Sequence, residues 1–226
     1  MANSEENSPR DLFNFDQLDV EREQLLATHR HWKQTQHKTP SADSKANPPD
    51  HGPDKTGGHP DFFQLDRREA DFRHQDLPNA NFQEAYLPGA DFEGANLRGA
   101  NFQGANLRGA RFHQTQLAWA NFSQADLIWA NFRQADLQGA QFREATLRGT
   151  TFLQAKIRGG DFHSGDCSWA DFQGADLEEA EFQQANLTGT NFQDANIRST
   201  NFSEAKNPQG VPLAEDSPSS SGPLLF

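Results

Sequence analysis

The stretch ANLRGANFQGANLRGA (95–110) repeats itself every five residues, and that period decides the fold. A large apolar residue stands at Leu97, Phe102 and Leu107. A small one precedes each by two positions, at Ala95, Ala100 and Ala105, with Asn96, Asn101 and Asn106 between. Stepping outward by fives from Phe72 to Phe202 crosses 27 positions, of which 26 are Phe, Leu or Ile and one is Cys167. A period of five fits neither the 3.6-residue helix nor a sustained two-residue strand alternation. Residues two apart can share one face of a short extended segment, after which the chain must turn. The Asn and Asp before each large residue, and glycines two after it such as Gly99 and Gly104, are turn formers. Each pentapeptide therefore reads as one side of a polygonal coil, with the small and the large residue inside.

Phe and Leu keep separate places. Phe fills all 14 positions from 72 to 202 in steps of ten, and Leu, Ile or Cys fills the 13 between. If like stacks on like, the coil has an even number of sides. A four-sided coil gives two Phe columns facing each other and two Leu columns facing each other.

These residues resemble the pentapeptide-repeat family, with its A(D/N)LXX consensus, many of whose members come from cyanobacteria. The resemblance implies an all-β fold: a right-handed quadrilateral β-helix of 20 residues per coil, about 6–7 coils and roughly 32 Å tall at about 4.8 Å per coil. Stability in such a stack is nearly one-dimensional, each coil resting on its neighbours.

The 226 residues divide into four parts by composition. Residues 1–37 hold one expected amphipathic helix over about 16–33, with Asp16 as N-cap and Leu18, Leu25, Leu26, His29 and Trp32 at near-helical spacing. A lone helix of this size is marginal in water, so it is expected to cap the solenoid or dock on a partner. Residues 38–60, rich in Pro and Gly, read as a flexible linker, residues 61–206 as the repeat, and residues 207–226 as a disordered tail. Phe62 continues the register, but Arg67 breaks the apolar pattern, so a ragged start is expected. Pro208 and Pro212 would blunt pairing at the other end.

Several function classes drop out. No GxSxG, HExxH, phosphate-loop or dinucleotide fingerprint occurs. The expectation is a non-enzyme without cofactor or metal. His29, His31 and His37 read as polar surface, and Cys167, in a core slot, as a buried inert thiol. A single cysteine allows no internal disulfide, and the amino terminus reads as no signal peptide, so a cytoplasmic setting is expected. No apolar run approaches membrane-spanning length. A net charge of −12 argues against general nucleic-acid binding.

The charge is banded. Residues 98–158 carry eight Arg or Lys against three acids, while residues 159–197 carry eight acids and no Arg or Lys. The acids stand on successive sides, a belt around the tower rather than a converging cation site. Outward positions on the Phe sides are mainly Gln and Glu, a solvated wall. The Leu sides carry Trp and Arg: Arg108, Ile128, Trp129, Arg148 and Trp169 on one, Arg98, Trp119 and Arg158 on the other. Exposed Trp beside Arg is the composition of interface hot spots. The competing expectation is that each Trp lies flat over a Gly in the adjacent coil with an Arg stacked on it. The functional reading is a protein-interaction scaffold whose partner the sequence does not name, with a homodimer allowed. The alternatives are a purely structural spacer, or an acidic DNA-mimicking inhibitor of a type II topoisomerase such as gyrase, which the family resemblance suggests and the basic middle coils oppose.

Overall fold

The computed structural model describes Ala27 and residues 59–207. Ala27 is helical; the rest of the helix expected over 16–33, the linker before residue 59 and the tail after 207 lie outside the described residues.

Parallel bridges join Asp61 to Asn81, Asp66 to Tyr86 and so on to Asn186 and Lys206, always twenty residues apart. Four pentapeptides therefore close each turn of the β-helix. The bridges are isolated because each side is too short for a longer strand.

One repeat shows why the coil forms. In Ala100–Asn101–Phe102–Gln103–Gly104 all five backbone N–H groups are satisfied. Ala100 donates to the Leu97 carbonyl across the preceding turn (3.0 Å), and Asn101 donates back one coil to Ala80 (2.9 Å). Phe102 and Gly104 donate forward to Asn121 (2.7 Å) and Ser123 (3.0 Å). The fifth, Gln103, donates to the Asn101 side-chain oxygen (3.1 Å). The Asn or Asp of the consensus is thus an acceptor for a donor that the ladder leaves over, and buried backbone polar groups must be paired. Where Tyr86 replaces it, the needy position is Pro88, which has no N–H.

The turn after each large residue is closed by a bond such as Ala105 N–H to the Phe102 carbonyl (3.0 Å), and its third residue has positive φ, 67° at Gly104. That is the type II pattern. Non-glycine residues hold the same conformation throughout, including Trp119 (64°) and Trp129 (61°).

The interior follows the alternation. Phe102 stacks on Phe122 one coil on (centroids 4.8 Å, 2°) and meets Phe92 edge-on (5.6 Å, 85°). The edge-on contact between residues ten apart places the two Phe columns opposite each other, with the ring geometry aromatic pairs prefer. Leu87, Leu107, Leu127, Leu147 and Leu187 fill one side column with Cys167 among them; Leu97, Leu117, Leu137, Ile157 and Leu177 fill the other, all buried. Thr at the small slot is accommodated by the same carbonyl that closes a turn: Thr115 Oγ1 donates to the Phe92 carbonyl (2.9 Å), which also accepts from Ala95 N–H (3.0 Å).

The ragged start expected at Arg67 is not what the backbone does. Arg67 N–H donates to the Tyr86 carbonyl (2.9 Å), and the bridges run unbroken from Asp61. The ladder reads main chain, not side chain, and half-buried Arg67 occupies a core slot near the end of the stack.

Candidate interaction surface

Each side presents two outward residues per coil, the second and third of the turn. The faces are named here by a core residue beneath them: the Phe102 and Phe92 faces, the Leu87 face and the Leu97 face.

On the Phe faces the outward side chains bond up and down their columns. Gln124 Nε2 donates to Glu144 (3.1 Å), Gln134 to Gln154 (3.1 Å) and Gln184 to Glu204 (2.8 Å). These walls are polar, and their side chains satisfy one another.

On the Leu faces each tryptophan lies over a glycine one coil on. A Cβ built on Gly149 would stand 2.6 Å from Trp129 Cζ3, one on Gly189 2.3 Å from Trp169 Cε3, and one on Gly139 2.3 Å from Trp119 Cζ3. The neighbouring arginines approach carboxylates. Arg108 pairs with Asp126 (3.1 Å) and Arg148 lies 3.8 Å from Asp166.

The two Leu faces then diverge. On the Leu87 face Ile128, Trp129 and Trp169 are all half-buried. On the Leu97 face Trp119 is 69% exposed; among the described residues it and Phe63 are the exposed large hydrophobics. Gly139 lies beneath its ring and a Cβ on Gly159, the next coil on, would meet nothing within 4 Å. Arg98 and Arg158 flank it, the first 3.8 Å from Asp136, the second 3.2 Å from Glu178 and 3.3 Å from Glu179.

The charge bands are stitched together. Arg143 bonds Asp161, Arg148 approaches Asp166 and Arg158 reaches Glu178, each joining the basic middle to the acidic belt. A rule lies beneath these pairs. The second turn residue of one coil sits beside the Asn/Asp position of the next, eighteen residues on. Glu93–Arg111 (3.0 Å), Arg108–Asp126 and Arg143–Asp161 obey it, as does Arg68, whose guanidinium lies 5.4 Å from the Tyr86 ring centroid. The period of twenty implied this diagonal, and opposite charges at that spacing were the readable signal.

Cys167 is wholly buried, and burial first, then the Asp166 charge, push its thiol far above the ordinary range. Among the described residues no group of His, Cys, Asp or Glu could hold a metal ion, and no helix is long and apolar enough to cross a membrane.

Residues 68–104, 89–124, 125–163 and 166–203 match the Pentapeptide repeats family, in eight copies. Similar solved structures include HetL, a pentapeptide repeat protein involved in heterocyst differentiation regulation from the cyanobacterium Nostoc sp. strain PCC 7120. It is 28% identical over 65% of this chain and 78% of that one, with a TM-score of 0.40. A pentapeptide repeat protein of the Arabidopsis thaliana thylakoid lumen is 35% identical over 45% of this chain and 68% of its own, at a TM-score of 0.36. Full-length QnrB1, a plasmid-mediated fluoroquinolone resistance protein, is 19% identical over 67% and 96%, also at 0.36. No curated protein matches. With the repeats matched across well over half of its length, the chain belongs to the pentapeptide-repeat family.

Proposed function

We propose that the tower is a non-catalytic protein-interaction scaffold and that its Leu97 face is the principal contact. One observation carries this: Trp119 stands exposed on a floor of glycine between Arg98 and Arg158. A large aromatic that packs only one side of its ring leaves the other for a partner, and Trp and Arg dominate interface energetics. The Leu87 face, with Arg108, Ile128, Trp129, Arg148 and Trp169, offers a flatter second surface. The coil takes the right hand implied by the family resemblance, and an amino-terminal helix over 16–33 supplies a tethered second contact. Buried, unpaired Cys167 suits a reducing, cytoplasmic setting.

Co-purification from the native host tests this, comparing wild type with Trp119→Ala and with the Trp129→Ala, Trp169→Ala double variant. Loss of the same partner with Trp119→Ala, at unchanged thermal stability, is the expected result. Retention of every partner by both variants would leave the faces structural and favour the spacer. Gyrase supercoiling is expected to be unaffected by the protein; inhibition would favour the DNA-mimic reading.

A further inference from the structure

The outward residues of the Leu97 face are self-complementary about one level of the tower. Counted in coils from Gly139, Trp119 lies one below and Gly159 one above, while Arg98 lies two below and Glu178 and Glu179 two above. A two-fold axis lying along this face and across the tower would set each level against its counterpart and keep second turn residues opposite second turn residues. Arg98 then lies level with the partner's Glu178 and the partner's Glu179, of which Glu178 is held by its own Arg158 and Arg198 and Glu179 is the exposed one. Arg158 faces the partner's Ala118. A parallel arrangement would instead hold Arg98 level with Arg98 and set Glu178 against Glu179, and like charges in register are unfavourable.

We propose that the Leu97 face binds a second copy of this chain, antiparallel, with the two Trp119 rings stacked across a two-fold axis level with Gly139. This rests on the reading of that face as a protein contact and names its partner. Each indole already lies on its own Gly139. A second ring placed on the first separates the two faces by about 10 Å, the ordinary spacing of packed sheets. The charges available are exposed, Arg98 by 58% and Glu179 by 60%. Among the described residues Arg98 pairs with Asp136, at 3.8 Å. Asp136 meets its own copy near the axis, an unfavourable contact that the Arg98 pairs must outweigh. Gly159, with no side chain, leaves room at the level of the partner's Ala118.

The contact spans five coils, about 24 Å of tower. One narrow face of that height buries less than the roughly 800 Å² per partner of a standard interface, which places self-association in the micromolar to millimolar range.

Sedimentation of the full chain from about 10 μM to about 1 mM reads this directly. The mass is expected to rise from monomer toward dimer. Arg98→Glu should weaken association at least about tenfold, and Arg98→Glu combined with Glu179→Arg should restore it to within about threefold, because each copy then carries the reversed pair. These exposed positions leave folding intact, as thermal unfolding would verify. Gln138→Cys, on the axis, should form a covalent dimer with a bismaleimide spanning about 10 Å, while Gln103→Cys on the Phe102 face should not. A monomer throughout the range, an Arg98→Glu variant that associates like wild type, or equal cross-linking at both positions would overturn the proposal. If the chain stays monomeric yet loses another protein partner with Trp119→Ala, the dimer falls and the scaffold reading stands.

Discussion

The six-membered ring of Trp129 lies on Gly149, one coil away, so closely that a Cβ there would stand 2.6 Å from Cζ3. Gly159 has the same backbone φ as Gly149, 63°, but nothing within 4 Å of where its Cβ would be. The two sites separate space from conformation. Gly159→Ala should cost only the left-handed penalty, about 1 kcal/mol. Gly149→Ala should cost about 1–3 kcal/mol more, since Trp129 must swing off its seat. Denaturant midpoints measure the difference, and a red shift in tryptophan emission should accompany Gly149→Ala alone.

The Phe ladder carries the core. Phe132 stacks on Phe112 (4.6 Å) and Phe152 (5.1 Å) and meets Phe122 and Phe142 edge-on (5.4 and 5.9 Å). Phe132→Ala should lower stability by about 3–5 kcal/mol. Phe202, half-buried in the last coil, has among the described residues ring neighbours on one side, Phe182 and Phe192. Phe202→Ala should cost less than half as much, and equal losses would contradict a stack in which coils support only their neighbours.

Much of this was legible in the residues because a period of five leaves few geometries. The ten-residue alternation placed Phe102 against Phe92, and the spacing of Trp129 from Gly149 placed a ring on a glycine. What stayed hidden was relational. The sequence marked Asn101 as a turn former, yet its oxygen serves the N–H of Gln103. Trp119 and Trp129 hold the same outward position, yet one is exposed and the other half-buried, because periodicity assigns a direction and not what covers it. Arg67 broke the apolar pattern without breaking the coil, because main-chain pairing tolerates any side chain at that place. The eighteen-residue diagonal needed the coil length first, and only then do Arg143 and Asp161 become neighbours.

Acid should act visibly at the first coils. Arg73 bonds both carboxylate oxygens of Asp71 (2.9 and 2.6 Å), and those side-chain bonds, with the Arg73 backbone N–H, hold Asp71 down at about 2. Because the folded value lies below the unfolded one, the pair's contribution is present above about pH 4 and is lost as pH falls through about 2. Carboxyl chemical shifts should show this low midpoint, and Arg73→Ala should raise it. An unchanged midpoint in the variant would contradict the assignment.

Cys167 offers a probe of the interior. Its buried thiol should resist alkylation at pH 8 in the native state and react fully in denaturant. The reaction rate across a denaturant series then reports opening of the middle coils. Rapid labelling of the native protein would contradict the packing described.

The central claim, that the Leu97 face is where this tower meets other proteins, is tested most directly by photo-cross-linking in the native host. A photoreactive residue at Arg98, beside Trp119, is compared with one at Gln103 on the Phe102 face. The account predicts discrete adducts from position 98 that vanish with Trp119→Ala, and none from position 103. Equal labelling from both positions, or adducts at 98 that ignore Trp119, would contradict it.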